Sequence, residues 1–428
     1  MKLKTIISAA AAVALASTLV GCGGNSAPSK DAGDAKAASG QNVRVWFMEG
    51  SISDEAQKYL QDEFAKENPG NTLKVEVQQW DGIVSKLQTS LASKNESPDL
   101  VEIGNTQTTT FAEVGAFADS TDLKGELGGD KLIPSFVEAS TIDSKIYAYP
   151  LYAGARAVFY RKDLLEKAGL QVPSTIDELR DTVIKLQAAN PEGKDGFAGM
   201  YLAAVDPHGV ESYLFASGFD YAKLEGNKWV GKVNTPESLS ALKSLQDIFK
   251  RGTTFGLDTK ASQKSFERYF NDGTVGVMIA TGNIGNKIDQ GLWDAGKVGV
   301  MPLPSKTAGK VGATFAGGSN IAIAQNSANP ELAKAAIKVI FSEGFQRLIA
   351  KDGWVPGNTT YGDDVTGPFS EIASDVVKNS KLTPNNAQWG VEFGDNRVND
   401  FFTRLAKGED VEKTAQQFND DLDSIMNK

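Results

Sequence analysis

From residue 42 onward, short β-rich apolar runs alternate with stretches whose apolar positions recur at helical spacing. Residues 43–47 predict a strand. Ser53-Asp54-Glu55 offers an N-cap to a helix running to about Asn68, where Pro69-Gly70 stops it. Residues 73–77 alternate as a second strand, Asp81 is placed to cap a helix to about Lys94, and residues 99–103 read as a third, buried strand. A β-α-β-α-β order predicts a mostly parallel sheet covered on both faces, so the fold class is α/β. Ligands of such sheets sit beyond the carboxyl ends of the strands. Those ends are Met48-Glu49-Gly50-Ser51, Gln79-Trp80-Asp81 and Gly104-Asn105-Thr106-Gln107, each polar or aromatic.

Residues 147–170 break this rhythm. An extended run is interrupted by Pro150 and by Ala153-Gly154, a second β-rich run covers 157–160, and a short helix follows. Proline removes a ladder donor and restricts its predecessor, so two strand pieces with a bend are expected rather than one continuous strand. A segment that leaves one sheet and enters another lets two α/β lobes share one chain and move about a hinge. Beyond it the pattern predicts helices over 176–189, 236–250 and 262–270, and strands over 199–204, 274–280 and 298–301. Residues 314–323 read as a return strand into the first lobe, 330–350 as a helix covering it, and 353–357 as a third crossover. The C-terminal helices are expected on the second lobe, and no internal repeat is visible.

The N-terminus is a targeting segment. Lys2 and Lys4 precede an alanine-rich apolar run over 6–20, too short for the roughly 20 residues of a membrane span. Leu19-Val20-Gly21-Cys22 is similar to a bacterial lipobox, whose cysteine is lipidated, and Cys22 is the chain's one cysteine, so no intrachain disulfide exists. Residues 23–41 are Gly, Ser, Ala, Asp and Lys without apolar period, a tether. The formal charge is −10 and becomes about −12 without the two leading lysines. An acidic surface without a basic stripe excludes nucleic acid as the expected partner.

The pieces Y-A-Y-P-L-Y…A-V-F-Y-R-K-D-L-L-E-K-A-G-L, L-V-E-I-G-N-T…F-A-E-V-G-A-F, F-N-D-G-T-V-G-V-M-I-A-T-G and A-G-G-S-N-I-A-I resemble, in order and spacing, the sugar-binding proteins of ABC importers, the maltose-binding-protein superfamily. The resemblance spans nearly the whole mature chain. It implies a two-lobed periplasmic-binding-protein-like fold with a ligand cleft between the lobes and several hinge crossovers. Residues 1–21 would be the signal peptide and 22–41 the lipidated cysteine and tether. Residues 42–151 with 314–356 would form lobe 1, and 152–313 with 357–428 lobe 2. The implied protein is a monomeric, lipid-anchored oligosaccharide receptor at the extracytoplasmic membrane face. It would need no cofactor, and its partners would be a sugar and an ABC permease.

A sugar cleft needs aromatic faces for pyranose C–H faces and planar polar groups for hydroxyls. Of six tryptophans, Trp80, Trp354 and Trp389 fall beside Gly, Pro or Asn at expected strand ends or crossovers, for stacking on ligand or for packing between lobes. Trp46 reads as core, and Trp229 and Trp293 as surface or small-cluster packing. Tyr152 is a candidate at the crossover; Tyr147 and Tyr149 read as packing. The resemblance places ligand contacts at Glu49, Asn105, Gln107, Arg156, Asn320 and Glu392. For Arg156 the alternative is an interlobe salt bridge, for Asn320 a turn-stabilising role, and for Glu49 and Glu392 caps or solvent. Relatives often carry an aromatic residue where Thr281-Gly282-Asn283-Ile284 has Asn283. His208, the one histidine, lines the cleft or serves a loop.

Without further His or Cys no transition-metal site is expected. No G-x-S-x-G, Walker A or G-x-G-x-x-G motif is present. Two rival functions remain: a glycoside hydrolase using carboxylates such as Glu49 and Glu392, and the same fold binding a non-sugar such as a polyamine.

Overall fold

The computed structural model describes residues 40–260 and 266–428. The signal segment, Cys22 and the tether through residue 39 lie outside the described residues, as does the beginning of the helix expected over 262–270. Gly40 already donates its N–H to the Gly70 carbonyl, and the Thr72 N–H bonds Gln41, so the last tether positions join the sheet.

The first sheet is laid down as its alternation predicts. Strands β1 (Asn42–Met48), β2 (Thr72–Gln78) and β3 (Leu100–Gly104) run parallel, with β1 central. On β1, Val43, Val45 and Phe47 pack against Leu60, Phe64, Ile337 and Phe345 on one face. Trp46 and Met48 pack with Leu87, Ile103 and Phe111 on the other. Ser53 caps the helix Asp54–Glu67 by accepting from the Ala56 N–H at 3.3 Å. Asp81 caps nothing: the next helix, Ile83–Ala92, starts at Gly82, whose left-handed backbone turns the chain without a side-chain acceptor.

A small hairpin, β4 (Thr141–Ile142) with β5 (Lys145–Ile146), precedes the crossover. The crossover itself is one unbroken strand, β6 (Tyr149–Arg161), and this corrects the expectation of two pieces. The proline is absorbed where β6 meets the return strand. The register shifts between Ser319 and Asn320, which lie opposite Tyr152 and Pro150, so no ladder bond is asked of the missing N–H.

The second sheet grows on the far half of β6. It adds β7 (Ala198–Tyr201), β10 (Val275–Thr281) and β11 (Val298–Met301), while β8 (Ala222–Glu225) and β9 (Lys228–Gly231) form a separate hairpin. Strand β12 (Thr314–Ile323) returns beside the first half of β6 and pairs with β3 on its other edge. The short β13 (Val355–Pro356) pairs with β6 on the side of the first sheet. Residues 358–364 after it still pack there, Asn358 on Gln346 and Asp364 on Arg347, so the crossing expected over 353–357 is not made at β13. Strand β14 (Ser380–Lys381) pairs with the start of β12. The path β2-β1-β3-β12-β6-β10-β7 therefore joins two lobes through two long antiparallel strands.

The helix expected over 330–350 is two, Pro330–Ile340 and Glu343–Lys351, because Ser342 caps the second by accepting from the Phe345 N–H. Trp389 begins a distorted helical stretch, Trp389–Arg397, continued by the helix Val398–Ala406, and both pack on the second lobe with Val411–Ile425. Among the described residues no helix is long and apolar enough to cross a membrane.

Candidate functional site

Where β6 and β13 run side by side, at the crossover, they carry one aromatic pair. Tyr152 on β6 stacks on Trp354, the residue before β13, with ring centroids 4.4 Å apart and planes at 27°. Gly154 makes room for it: a Cβ there would stand 2.6 Å from the Trp354 ring and 3.4 Å from the Thr281 side chain at the end of β10. Asn283 closes the corner, its backbone lying 2.9 Å from where a Gly353 Cβ would project. Tyr152, Trp354 and Asn283 are thus brought together, and half-buried Trp354 keeps part of its surface free.

Behind the pair lies a polar knot. Glu102, fully buried on β3, accepts from the Met48 N–H at 2.7 Å, from Ser51 Oγ at 2.7 Å and from the Tyr152 hydroxyl at 2.7 Å. Ser319 Oγ on β12 donates to the Tyr152 hydroxyl at 3.1 Å. Burial pushes the Glu102 carboxyl above its ordinary range, with these donors opposing. Burial, reinforced by Glu102, also holds the Tyr152 phenol protonated far above its usual pKa.

Two residues past Gly154 on the same face of β6, about 7 Å along the strand, Arg156 forms the wall of the second lobe. Its guanidinium lies 5.9 Å from the Phe315 ring, and His208 stacks on the same ring at 4.1 Å, the planes within 3°. Burial lowers the Arg156 pKa, while Asp206 and Glu211 favour its charge. Both carboxylates are engaged elsewhere. Asp206 caps the helix Pro207–Ala216 through the Gly209 N–H, and Glu211 bonds His208 Nδ1 at 2.9 Å and accepts from the Tyr221 hydroxyl at 2.9 Å. The interlobe salt bridge is not formed, because neither they nor any carboxylate of the first lobe pairs with Arg156 among the described residues. Its fork stays available to a hydroxyl pair.

The remaining candidates divide. Glu49 and Trp80 are exposed on the turns after β1 and β2. Asn105 and Gln107 lie at the end of β3; Asn105 Nδ2 and Gln107 Oε1 are buried and have no partner among the described residues. A hydroxyl, donor and acceptor at once, would satisfy either. Asn320 is fully buried, its amide donating to Thr108 Oγ1 and Ser140 Oγ at 2.9 Å each, which makes it a tie inside lobe 1. Trp389 is 3% exposed, edge-on to Tyr221 at 4.7 Å and stacked on Phe393, so it is core. Glu392 pairs with Arg397 at 3.4 Å on the surface.

Sequence reasoning missed Glu102, Ser319 and Phe315 as functional residues, and reached Ser51 only as part of a strand end. One signal existed for Glu102: a lone carboxylate in the otherwise apolar L-V-E-I run. Elsewhere, a depression of about 760 Å³ lies between the helices Ile176–Ala189 and Pro236–Arg251. Its lining carries Arg180, Lys243, Asp247 and Lys250 but no aromatic side chain, so it lacks the platform that the crossings provide. No cluster of His, Cys, Asp or Glu among the described residues could hold a metal ion.

Two lobes joined through β6 and β12, with an aromatic pair where they meet, describe a solute receptor. The chain matches the bacterial extracellular solute-binding protein family over residues 49–347 and belongs to it. It is similar to the diacetylchitobiose-binding protein DasA of Streptomyces coelicolor, 29% identical over 431 residues that cover 97% of this chain and 96% of the relative. Similarity to the maltodextrin-binding protein MdxE of Bacillus subtilis is 22% over 353 residues, 78% of this chain and 79% of that one. The GacH receptor of Streptomyces glaucescens shares the fold with a TM-score of 0.77 at 21% identity, covering 91% of this chain and 99% of the receptor. Maltose-bound MalE3 of T. maritima does so at 0.75 and 22%, covering 89% and 99%. The fold is therefore the two-lobed periplasmic-binding-protein-like one.

Proposed function

We propose that this protein is a lipid-anchored receptor that captures an oligosaccharide between its lobes and delivers it to an ABC permease. The observation that supports this reading most is the Tyr152–Trp354 stack at the crossings, a flat apolar face beside neutral hydrogen-bonding groups and the Arg156 fork. The lobes are residues 42–151 with 314–356 and 152–313 with 357–428. The ligand contacts are Trp354, Asn283, Arg156, His208, Asn105, Gln107, Trp80 and Glu49, while Tyr152, buried beneath Trp354, and Asn320, Trp389 and Glu392 act from behind or beside them. Binding, not catalysis, is the role. Glu392 is paired with Arg397, and Glu49 is solvent-facing, so neither is held in the low-polarity setting that a general acid requires. Cys22 carries the lipid, and replacing it by alanine should release the protein from membranes.

Similarity to DasA along nearly the whole chain puts N,N′-diacetylchitobiose first among ligands to try. Thermal shift against that disaccharide, maltotriose and spermidine tests the reading. A ligand at a hundred times its Kd stabilises by about 2.7 kcal/mol. A shift with either oligosaccharide supports the receptor; a shift with spermidine alone rejects the sugar.

A further inference from the structure

We infer that Glu102 is the positioning residue of the aromatic platform: it sets Tyr152 through the phenol, and through Tyr152 the face that Trp354 presents to ligand. This rests on the sugar-receptor reading for its consequence, though not for its geometry.

The argument begins with cost. A carboxylate with no solvent contact needs several donors, and a strand built for stability alone would carry an apolar residue at its place. On β3 the neighbours Val101 and Ile103 do so, facing the opposite side of the sheet. Glu102 instead gathers donors from separate segments: the end of β1 at Met48, the following turn at Ser51, and β6 at Tyr152. Tyr152 also receives the β12 hydroxyl of Ser319. A phenol so bound has one orientation, and its ring is the surface against which Trp354 lies at 4.4 Å. The Ser51 bond holds the turn that bears Glu49. One buried group therefore orders contacts from two strand ends and the crossover at once.

Variants separate positioning from plain stability. Glu102→Gln keeps the chemistry: its carbonyl can accept from the Met48 N–H while its amide donates to the two hydroxyl oxygens. Glu102→Leu keeps the size and removes every bond. Tyr152→Phe removes only the phenol and serves should Glu102→Leu fail to fold.

The first readout is the near-ultraviolet circular dichroism of the ligand-free full chain, where a fixed Tyr–Trp stack gives a band that Trp354→Ala abolishes. Expected is loss of the same band in Glu102→Leu and Tyr152→Phe, and its return in Glu102→Gln. The second is calorimetric titration with N,N′-diacetylchitobiose. Affinity should fall tenfold or more in Glu102→Leu, recover in Glu102→Gln, and in the double variant Glu102→Leu/Trp354→Ala fall no further than in Trp354→Ala alone. A band retained in both Glu102→Leu and Tyr152→Phe overturns the inference, as do additive losses in the double variant. If Trp354→Ala binds like the wild type while the band follows Glu102, the platform reading fails and Glu102 orders a stack without a ligand role.

Discussion

Trp354 and Trp389 show what a single position decides. Both follow or precede glycine in polar stretches, yet one stacks at the crossings with part of its ring free and the other fills the core of lobe 2 beside Tyr221 and Phe393. Trp354→Ala should cost sugar affinity by about 2 kcal/mol, roughly thirtyfold, with little change in melting temperature. Trp389→Ala should do the reverse, losing about 3 kcal/mol of stability. Titration and denaturation of the two variants check the pair, and equal affinity loss in both would refute the assignment. A second residue-scale prediction concerns acid. Glu76 receives Arg44 at 2.9 Å, Lys74 at 3.0 Å and the Trp46 indole at 2.8 Å, and the Arg44 bond above all holds its pKa down to about 2. A pKa lower in the folded than in the unfolded chain gives stability that is whole above about pH 4.5 and lost as pH falls toward 2. Because the pair is partly solvated, its share is about 2 kcal/mol rather than the full shift. Urea titrations should show the wild type losing that increment relative to Glu76→Gln as the medium turns acid. A constant offset from pH 7 to pH 2 would contradict it. Residue type and local pattern mark candidates for a cleft, but burial is a tertiary property. That is why Trp80 and Glu49 stand exposed at the strand ends where the pattern placed them, whereas Asn320 and Trp389 looked equally available and are enclosed.

Among the elements, β6 carries the most consequence. Strands β12 and β13 pair with its two edges, and at Gly154 it leaves room for the Trp354 ring over one face. Gly154 has an ordinary negative-φ backbone, so an alanine there strains nothing in the strand; its Cβ instead meets the Trp354 ring at 2.6 Å. Gly154→Ala should therefore leave the fold intact, shift the tryptophan emission, and weaken sugar binding about tenfold. Unchanged emission with unchanged affinity would show that the ring has room to spare. The periodicity reached most elements of the two sheets, because each strand is covered on both faces or backed by an amphipathic helix. It failed at the crossover, where Pro150 reads as a break and only the register shift opposite it, set by β12 from far along the chain, lets the strand continue. It also failed at Asp81, where Gly82 supplies the turn by its backbone, and at Ser342, whose cap divides one long apolar pattern into two helices.

At the scale of the molecule, the lobes touch away from the hinge strands as well. Thr110 Oγ1 of lobe 1 donates to the Ala387 carbonyl at 2.8 Å, and Thr109 Oγ1 meets the Asn385 side-chain amide at 2.8 Å. The far partners belong to a segment that Trp389 anchors in the core of lobe 2, and Asn386 ties the same segment to the Met426 carbonyl. A Cβ on Gly390 would stand 2.6 Å from Thr110 Oγ1, so the approach is close. None of these groups is among the proposed ligand contacts. If binding selects an arrangement in which the lobes meet here, each such bond adds to the population of that arrangement, and apparent affinity scales with that population. One lost hydrogen bond of about 1 kcal/mol lowers it by up to about fivefold. Thr110→Val with Asn385→Ala should thus weaken sugar binding without touching the sugar, and small-angle scattering should show the ligand-free variant larger than the ligand-free wild type while the two agree at saturation. Equal radii throughout, with affinity unaltered, would mean that this contact persists whether or not ligand is bound. The moving parts would then have to be sought on the other side of β6 and β12.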